Sequence, residues 1–429
     1  MSDRRAIRSW CLYDWANSAF ATTIMAALFP PFFRSLATRA GMASADATAT
    51  WGYTTSAALV LVALSAPILG AVADVSGSRK RLVGLFAGLG ILATALFATL
   101  GSEAWLPAAF LFIAGNIGFA GGNVFYESLL PHITTPETID DVSARGFALG
   151  YLGGGILLVL NLLWVMFPDR FGMPGESFAI RASFISVAVW WGAFSVPFFR
   201  DVPEPRLEGI RLPRGGVLPE AWGRLRTTFS ELSNYRHLFV FLIAFWIYSD
   251  GIGTIVRMAT AYGDEIGIGL NDMIGALVLT QFVGVPCSLL FGRVASKTGP
   301  KPAVLVGLTV YAVISVAAYF MSTAAHFYAL AIGVGVVQGG TQAVSRSLFG
   351  SMVPRHKAAE FFGFFSTSSK FAGIAGPFIF GLVGQLAGTS RMGIVSVAAF
   401  FIVGALLLGR VDVDAGRAAA RRAEEAAAS

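Results

Sequence analysis

The sequence predicts an all-α membrane protein: twelve transmembrane helices in two pseudo-symmetric six-helix bundles, with both termini on the cytoplasmic side. Three observations predict it. Hydrophobic residues make up 55% of the 429 residues and charged residues only 13%, with a mean hydropathy of +0.68, whereas roughly a quarter charged is usual for a soluble domain. Uncharged runs long enough to cross a bilayer tile the chain. The charges that remain are grouped between those runs rather than spread through them.

A helix crossing a hydrocarbon core of roughly 30 Å needs about 20 mostly apolar residues. In the first half such runs occupy 15–33, 51–73, 82–102, 104–126, 146–168 and 182–199. A charged, proline-containing stretch over 200–236 follows, and the runs resume at 237–262, 273–292, 302–325, 327–345, 361–390 and 392–409. The predicted organisation is an N-terminal bundle over 1–200, a cytoplasmic linker over 201–235, a C-terminal bundle over 236–410 and a cytoplasmic tail over 411–429. In the linker, Trp222, Leu225, Phe229 and Leu232 fall at helical spacing with bases between them, the pattern of a helix lying in the membrane interface. Arg4, Arg5 and Arg8 resemble the start of a signal peptide, but Asp14, Asn17 and Ser18 interrupt the apolar stretch behind them, so it reads as the first span.

Lys and Arg concentrate in the cytoplasmic loops of membrane proteins. With the N-terminus inside, the bases at 79–81, Arg145, those through 200–236, and those following Arg293, Arg346 and Arg410 all fall on that side. Only Arg34, Arg39, Arg170, Arg181 and Arg391 face out. The net charge of +6 is therefore a topology signal and no nucleic-acid footprint. An excess of Arg over Lys and abundant Ala suit a GC-rich bacterial genome, which places the chain in a bacterial inner membrane.

The two halves repeat. The connection after the second run carries Gly70, Asp74, Gly77, Arg79 and Lys80, and the connection after the eighth carries Gly292, Ser296, Gly299 and Lys301 at matching spacing. Gly121, Ser128 and Leu129 likewise match Gly340, Ser347 and Leu348 at the ends of the fourth and tenth runs. Two parallel six-helix repeats are an arrangement used by secondary transporters. The Gly70 to Lys80 segment resembles the signature loop of the major facilitator superfamily. Within it, Tyr13 to Phe20, Tyr248 to Thr254, Gln281 and Glu360 to Gly363 resemble the vacuolar-effluxer-like branch, which includes the fungal autophagy-related vacuolar amino-acid exporter and bacterial relatives. The resemblance covers all twelve spans. It implies solute export, with amino acids as the substrate class of the fungal members, and a central cavity lined by the first, fourth, seventh and tenth spans. Ser296 stands where the first loop has Asp74, a departure that leaves gating by the second copy open.

Charges inside the spans are the first functional candidates, because an ionised side chain at that depth costs several kcal/mol unless paired or hydrated. Asp250 and Arg257 lie two turns apart on one face of the seventh span, and Lys370 lies at similar depth in the eleventh. An anion and a cation around one cavity suit a zwitterion: Arg257 or Lys370 for a carboxylate, Asp250 for an amine or a coupling proton. The same residues could instead form a structural ion pair. Asn116 and Asn123 make a polar stripe on the fourth span; Asn17 suits the cavity wall of the first span and Asp14 its inner rim, with helix capping or packing as the alternative for both; Gln338 and Gln342 are candidates for substrate hydrogen bonding on the tenth. Glu127 and its repeat mate Arg346 suit an inner gate. In the signature loop, Gly70 and Gly77 shape the turn, Asp74 can accept from the exposed amides that begin the eleventh span, and Arg79 and Lys80 can reach carboxylates or lipid phosphates. Gly146, Gly150 and Gly154 on the fifth span, and Gly373, Gly376, Gly381 and Gly384 on the eleventh, allow close helix approach.

No zinc pair, Walker loop or nucleophile elbow is present, and His132, His237, His326 and His356 are scattered at span ends, so the chain reads as no enzyme. Cys11 and Cys287 imply no disulfide. The expected cofactors are none beyond a coupled proton. The expected partners are a small-molecule substrate and the lipid bilayer, with no nucleic acid, and the chain is expected to act as a monomer. A lipid or lysolipid mover of the same fold and a non-transporting scaffold are the competing readings.

Overall fold

The computed structural model describes residues 4–75, 79–134, 139–204, 223, 226–227, 229–354, 361, 364–365 and 372–428. Every regular element among them is helical. The first half holds α1 (Arg4–Ala19), a π-helical stretch (Phe20–Leu28), α2 (Phe29–Arg39), α3 (Ser44–Val75), α4 (Arg79–Leu96), α5 (Trp105–Ile133), α6 (Ile139–Met166) and α7 (Glu176–Asp201). The second holds α8 (Arg236–Glu265), α9 (Leu270–Thr298), α10 (Pro300–Ala317), α11 (Ala324–Ser351), α12 (Ala375–Ala387), α13 (Ser390–Gly409) and α14 (Val413–Ala428). Among the described residues ten helical stretches are long and apolar enough to cross a membrane, and two shorter apolar helices, Leu270–Gly284 and Ala375–Ala387, stand at the eighth and eleventh predicted spans. The protein is a multi-pass integral membrane protein.

The chain divides into two compact units, one of Met1–Ala47 with Ala57–Ala221 and one of Thr48–Ser56 with Trp222–Ser429. Helix pairings recur between them. In the first unit α1 packs on α6 and α7, α4 on α5 and α7, and α6 on α7; in the second α8 packs on α12 and α13, α10 on α11 and α13, and α12 on α13. The repeat read from the two loops is therefore a repeat of packing as well.

The first span departs from its predicted form. It runs as one helical rod over Arg4–Arg39, with π-helix in the middle, where the sequence suggested a single run over 15–33. The N–H of Phe29 reaches back to the carbonyl of Ile24, one residue beyond the α-helical partner. Pro30 and Pro31 follow in the first turn of α2, and because neither carries an N–H, the preceding turn cannot keep an uninterrupted α ladder. The wider turn is the local answer to that pair of prolines.

The second unit takes in Thr48–Ser56, which the sequence placed with the N-terminal bundle. The Trp51 indole donates to the carbonyl of Arg257 (3.1 Å), the Tyr53 hydroxyl to Gln385 (2.8 Å) and the Ser56 hydroxyl to the carbonyl of Ile374 (2.8 Å). Thr48 and the backbone N–H and hydroxyl of Ser390 all donate to the carboxylate of Glu265, the last two at 3.0 and 2.5 Å, so one side chain caps α13 and binds this segment. At the other end of the unit, Lys301 Nζ donates to the carbonyls of Gly409 (2.8 Å) and Val411 (2.7 Å), a cation at the C-terminus of α13. Asp412 accepts from the N–H of Ala415 (2.9 Å) and so opens α14, and that bond holds its carboxyl below the usual carboxylate range. The predicted interfacial helix lies largely outside the described residues; of its anchors, Leu232 is buried and the ring of Phe229 lies 5.3 Å from that of Phe239.

Small residues set the helix separations. A β-carbon on Gly150 would lie 2.6 Å from Ser18 Oγ and one on Gly154 2.9 Å from Thr22, so the glycine row predicted on the fifth span is the face that receives α1 and its π-helical extension. A β-carbon on Gly118 would lie 2.5 Å from the backbone nitrogen of Gly90 and 2.7 Å from the carbonyl oxygen of Phe86, atoms that cannot rotate aside. Gly155 has open space. Gly118→Ala is therefore expected to cost about 1–3 kcal/mol of stability by overpacking, while Gly155→Ala leaves it unchanged; thermal unfolding of both variants in detergent checks the pair.

Candidate functional site

In the second unit the chemistry centres on α8. Asp250 is buried, and its carboxylate accepts from the N–H of Ala375 (3.0 Å) and of Gly376 (2.9 Å), the first turn of α12. Thr254, one turn along α8, donates its hydroxyl to the Asp250 carbonyl (2.7 Å) and lies 3.5 Å from the carboxylate. Helix α12 thus begins beside the middle of α8, after Gly373 in the left-handed region at φ 115°, and its first amides are satisfied by an acid from that neighbouring helix. Gly376 is required for the approach, since a β-carbon there would overlap Thr254 Oγ1 and lie 2.5 Å from Asp250 Oδ1. The predicted acceptor for the start of the eleventh span was Asp74, whose side chain lies outside the described residues together with Gly70 and Gly77.

Arg257 is half-buried two turns further along α8. Its guanidinium folds back along its own helix, so that a β-carbon on Gly253 would overlap Nη1. Its Nε is buried with no hydrogen-bond partner among the described residues; no ion pair with Asp250 is found among them, although the two charges attract one another. The structural ion pair considered for these two residues is therefore not formed here. Lys370 lies outside the described residues. On α11, Gln338 is half-buried and Gln342 and Arg346 are exposed.

In the first unit, Asn17 Nδ2 donates to Asn123 Oδ1 (2.6 Å), which brings two of the predicted polar residues together between α1 and α5. Asn116, on the same stripe, is buried and turns its amide back to the carbonyl of Phe112 (2.9 Å) within its own helix. Glu127 is exposed. Glu127 and Arg346 belong to different units.

The bases that open α4 have fixed partners. Arg79 is buried and donates to the carbonyl of Ser128 (3.1 Å) and to the His132 ring, which burial and the neighbouring guanidinium hold below its ordinary range. The backbone N–H of Lys80 donates to the carboxylate of Glu204 (3.1 and 3.2 Å) and its Nζ to the carbonyl of Val202 (2.5 Å). The Lys80 ammonium thus goes to a carbonyl, and the carboxylate of Glu204 meets the backbone of Lys80 rather than its side chain.

Sequence reasoning missed an aromatic and acidic layer around α1. Trp10 and Tyr126 stack at 4.4 Å and each bonds the other's backbone carbonyl at 3.1 Å. Asp201, at the end of α7, accepts from Ser9 (2.8 Å) and pairs with Arg5 (2.9 Å). The Tyr13-Asp14-Trp15 run was the available signal. No group of three or more metal-ligating side chains occurs among the described residues.

The family described as vacuole effluxer Atg22 like matches residues 2–421. The chain belongs to that family. It is 38% identical over 404 residues to an uncharacterized MFS-type transporter, YxiO, of Bacillus subtilis (strain 168), with 94% of each chain covered. It is 25% identical to autophagy-related protein 22 of Kluyveromyces lactis over 80% of this chain and 75% of the relative. Solved structures share the fold at low identity. A bacterial homolog of the human lysosomal transporter Spinster, inward-facing and occupied, aligns with a TM-score of 0.69 and 15% identity over 95% of this chain and 97% of that one. A mutant form of the nucleoside transporter NupG aligns with a TM-score of 0.72 and 12% identity over 95% of this chain and 99% of that one. This Atg22-like effluxer is accordingly an MFS-type secondary transporter of small molecules, and no enzyme.

The capping carboxylate gives a direct stability test. Asp250→Ala leaves the buried amide of Gly376 without an acceptor, at about 1–3 kcal/mol, and frees the part-buried amide of Ala375, whereas Asp250→Asn keeps one acceptor oxygen. The melting temperature in detergent is expected to fall in the order wild type, Asp250→Asn, Asp250→Ala.

Proposed function

We propose that this effluxer exports an amino acid or similar zwitterion by alternating access, driven by exchange with protons, across a bacterial inner membrane. The observation that carries the reading is Arg257: a half-buried guanidinium on a membrane-spanning helix whose Nε has no partner among the described residues. A cation kept at that depth with an unbonded nitrogen and no ion pair among the described residues is costly and is a ready receptor for an anionic group of a ligand. Asp250, two turns away, supplies the opposite charge for an amine while remaining tied to α12. Lys370 is the second candidate for the carboxylate. Asn17, Asn123, Gln338 and Gln342 add neutral donors and acceptors, and the Arg79 and Lys80 contacts hold the ends of α4, α5 and α7 in register for gating.

The chemistry of the steps is modest. Arg257 takes the carboxylate in a charge-assisted hydrogen bond, and its planar fork fixes the orientation of the ligand. Release requires only that water re-enter and hydrate both groups. The test is flux of a mixture of L-amino acids in liposomes containing the purified protein. Arg257→Ala is expected to raise the half-saturation concentration roughly thirtyfold or more, the equivalent of about 2 kcal/mol for a desolvated charge pair. Asp250→Asn and Lys370→Ala lower transport below wild type. Wild-type rates in Arg257→Ala, or no amino-acid flux in the wild type, overturn the substrate assignment.

A further inference from the structure

One acid of the first unit has no task in the reading above. Asp14 is half-buried on α1, four residues before Ser18 and three before Asn17, within a stretch able to span the membrane. The backbone of α6 comes against it: a β-carbon on Gly146 would lie 2.7 Å from Asp14 Oδ2 and 2.9 Å from the Trp10 ring, and one on Gly150 would lie 3.3 Å from the Asp14 carbonyl oxygen. From α5, the Tyr126 hydroxyl lies beside the carboxylate while donating to the Trp10 carbonyl, and Glu127 contributes a like charge. Tyr13, next in sequence, and Tyr126 belong to an aromatic cluster with Phe198 of α7, in ring contact at 4.7 to 5.9 Å.

The cations of the surrounding elements are placed elsewhere. On α1, Arg5 is paired with Asp201 of α7 and Arg8 is exposed; on α6, Arg145 is exposed; Arg200 of α7 donates to Asp201. Of the other ionisable groups on the same stretch of α1, Cys11 turns its thiol to the carbonyl of Val142, and Tyr13 lies in the aromatic cluster. No cation among the described residues forms an ion pair with Asp14. Asp250 contrasts with it: both of its oxygens are engaged by amides whose loss would undo the start of α12. An anion without a counter-ion inside the bundle is held only at a cost, and binding a proton removes that cost.

We propose that Asp14 carries the coupling proton of the transport cycle. Water on one side supplies the proton, which forms an O–H bond on one carboxylate oxygen; that bond breaks to return the proton to water on the other side, with no change of oxidation state anywhere. Glycines at 146 and 150 make the contact between α1 and α6 sensitive to the state of this group. A neutral carboxyl fits dry beneath Gly146, whereas an ionised one draws water into the same contact and separates the helices. The proton is thereby tied to the packing of the pair that must shift.

This inference rests on the reading of the chain as a proton-coupled carrier, and the experiment separates the two. Wild type, Asp14→Asn and Asp14→Glu are reconstituted in liposomes with a mixture of L-amino acids, and two fluxes are measured: exchange with no pH gradient, and accumulation driven by one. Asp14→Asn is expected to keep its exchange and lose gradient-driven accumulation to the level of protein-free liposomes; Asp14→Glu keeps both. Gradient-driven accumulation by Asp14→Asn overturns the assignment, as does equal loss of both fluxes in a protein that still melts cooperatively. Absence of gradient-driven accumulation in the wild type overturns proton coupling itself. A readout free of substrate and of the Asn variant's folding is the fluorescence of Trp10 and Trp15 against pH. Its midpoint is expected to move between wild type and Asp14→Glu, and an unmoved midpoint overturns the proposal.

Discussion

A backbone amide inside the hydrocarbon layer has no water to turn to, and much of the architecture here follows from that constraint. It explains why every described element is helical, and it bears on two of the places where a described helix is irregular. At α12 the broken start is satisfied from outside by the Asp250 carboxylate, with two amides at 3.0 and 2.9 Å. In the first span the proline pair at 30 and 31 is absorbed by a π-helical stretch over Phe20–Leu28. One irregularity recruits a charged partner, and the other redistributes bonds within the rod. The first puts an irregular helix start against Asp250, and the second lies on the span that carries Asn17.

Packing between helices follows a second rule, since lipid gives apolar side chains no reason to prefer protein to bilayer. Association then depends on close approach, and the glycines supply it. Gly118 lies against the backbone of Gly90, Gly376 against Thr254 and Asp250, Gly146 and Gly150 against Asp14 and Ser18, and Gly340 against the ring of Phe291. In three of these four contacts at least one neighbour is polar or backbone, so bringing helices together also decides which polar groups are desolvated. That is how a membrane protein of low charge content comes to hold a few charges in tightly defined settings.

Much of this was legible in the sequence. Length and charge spacing placed ten of the twelve predicted spans at helical stretches of spanning length among the described residues, and the two remaining runs at α9 and at the shorter α12. The glycine row on α6 was readable because its spacing of four residues matches one helical face. Asn17 and Asn123 were each readable as polar positions within apolar spans, but their contact was not. The break in the eleventh run was not legible, because the glycines of 361–390 read equally well as packing positions and its one charge, Lys370, marks no helix end. Nor was the π-helical stretch, since two prolines near the end of an apolar run also fit an ordinary helix start. The assignment of Thr48–Ser56 to the second unit was invisible for a further reason: it depends on Trp51, Tyr53 and Ser56 meeting partners more than two hundred residues away in sequence.

The sequence by itself determined the environment, the all-helical class and the internal repeat, because each is set by composition and local periodicity: a bilayer demands apolar runs of a given length, and a duplicated loop keeps its spacing. It also singled out Asp250 and Arg257, since a charge in an apolar run stands out without any knowledge of neighbours. Only the tertiary structure decided what those charges do to one another. Asp250 caps a helix from a distant part of the chain, Arg257 keeps a nitrogen without a partner among the described residues, and Asp14 sits against glycines and aromatic rings with no described cation paired to it. The energy of a buried charge is fixed by which groups lie within a few ångströms of it, and helix packing, not chain order, chooses those groups.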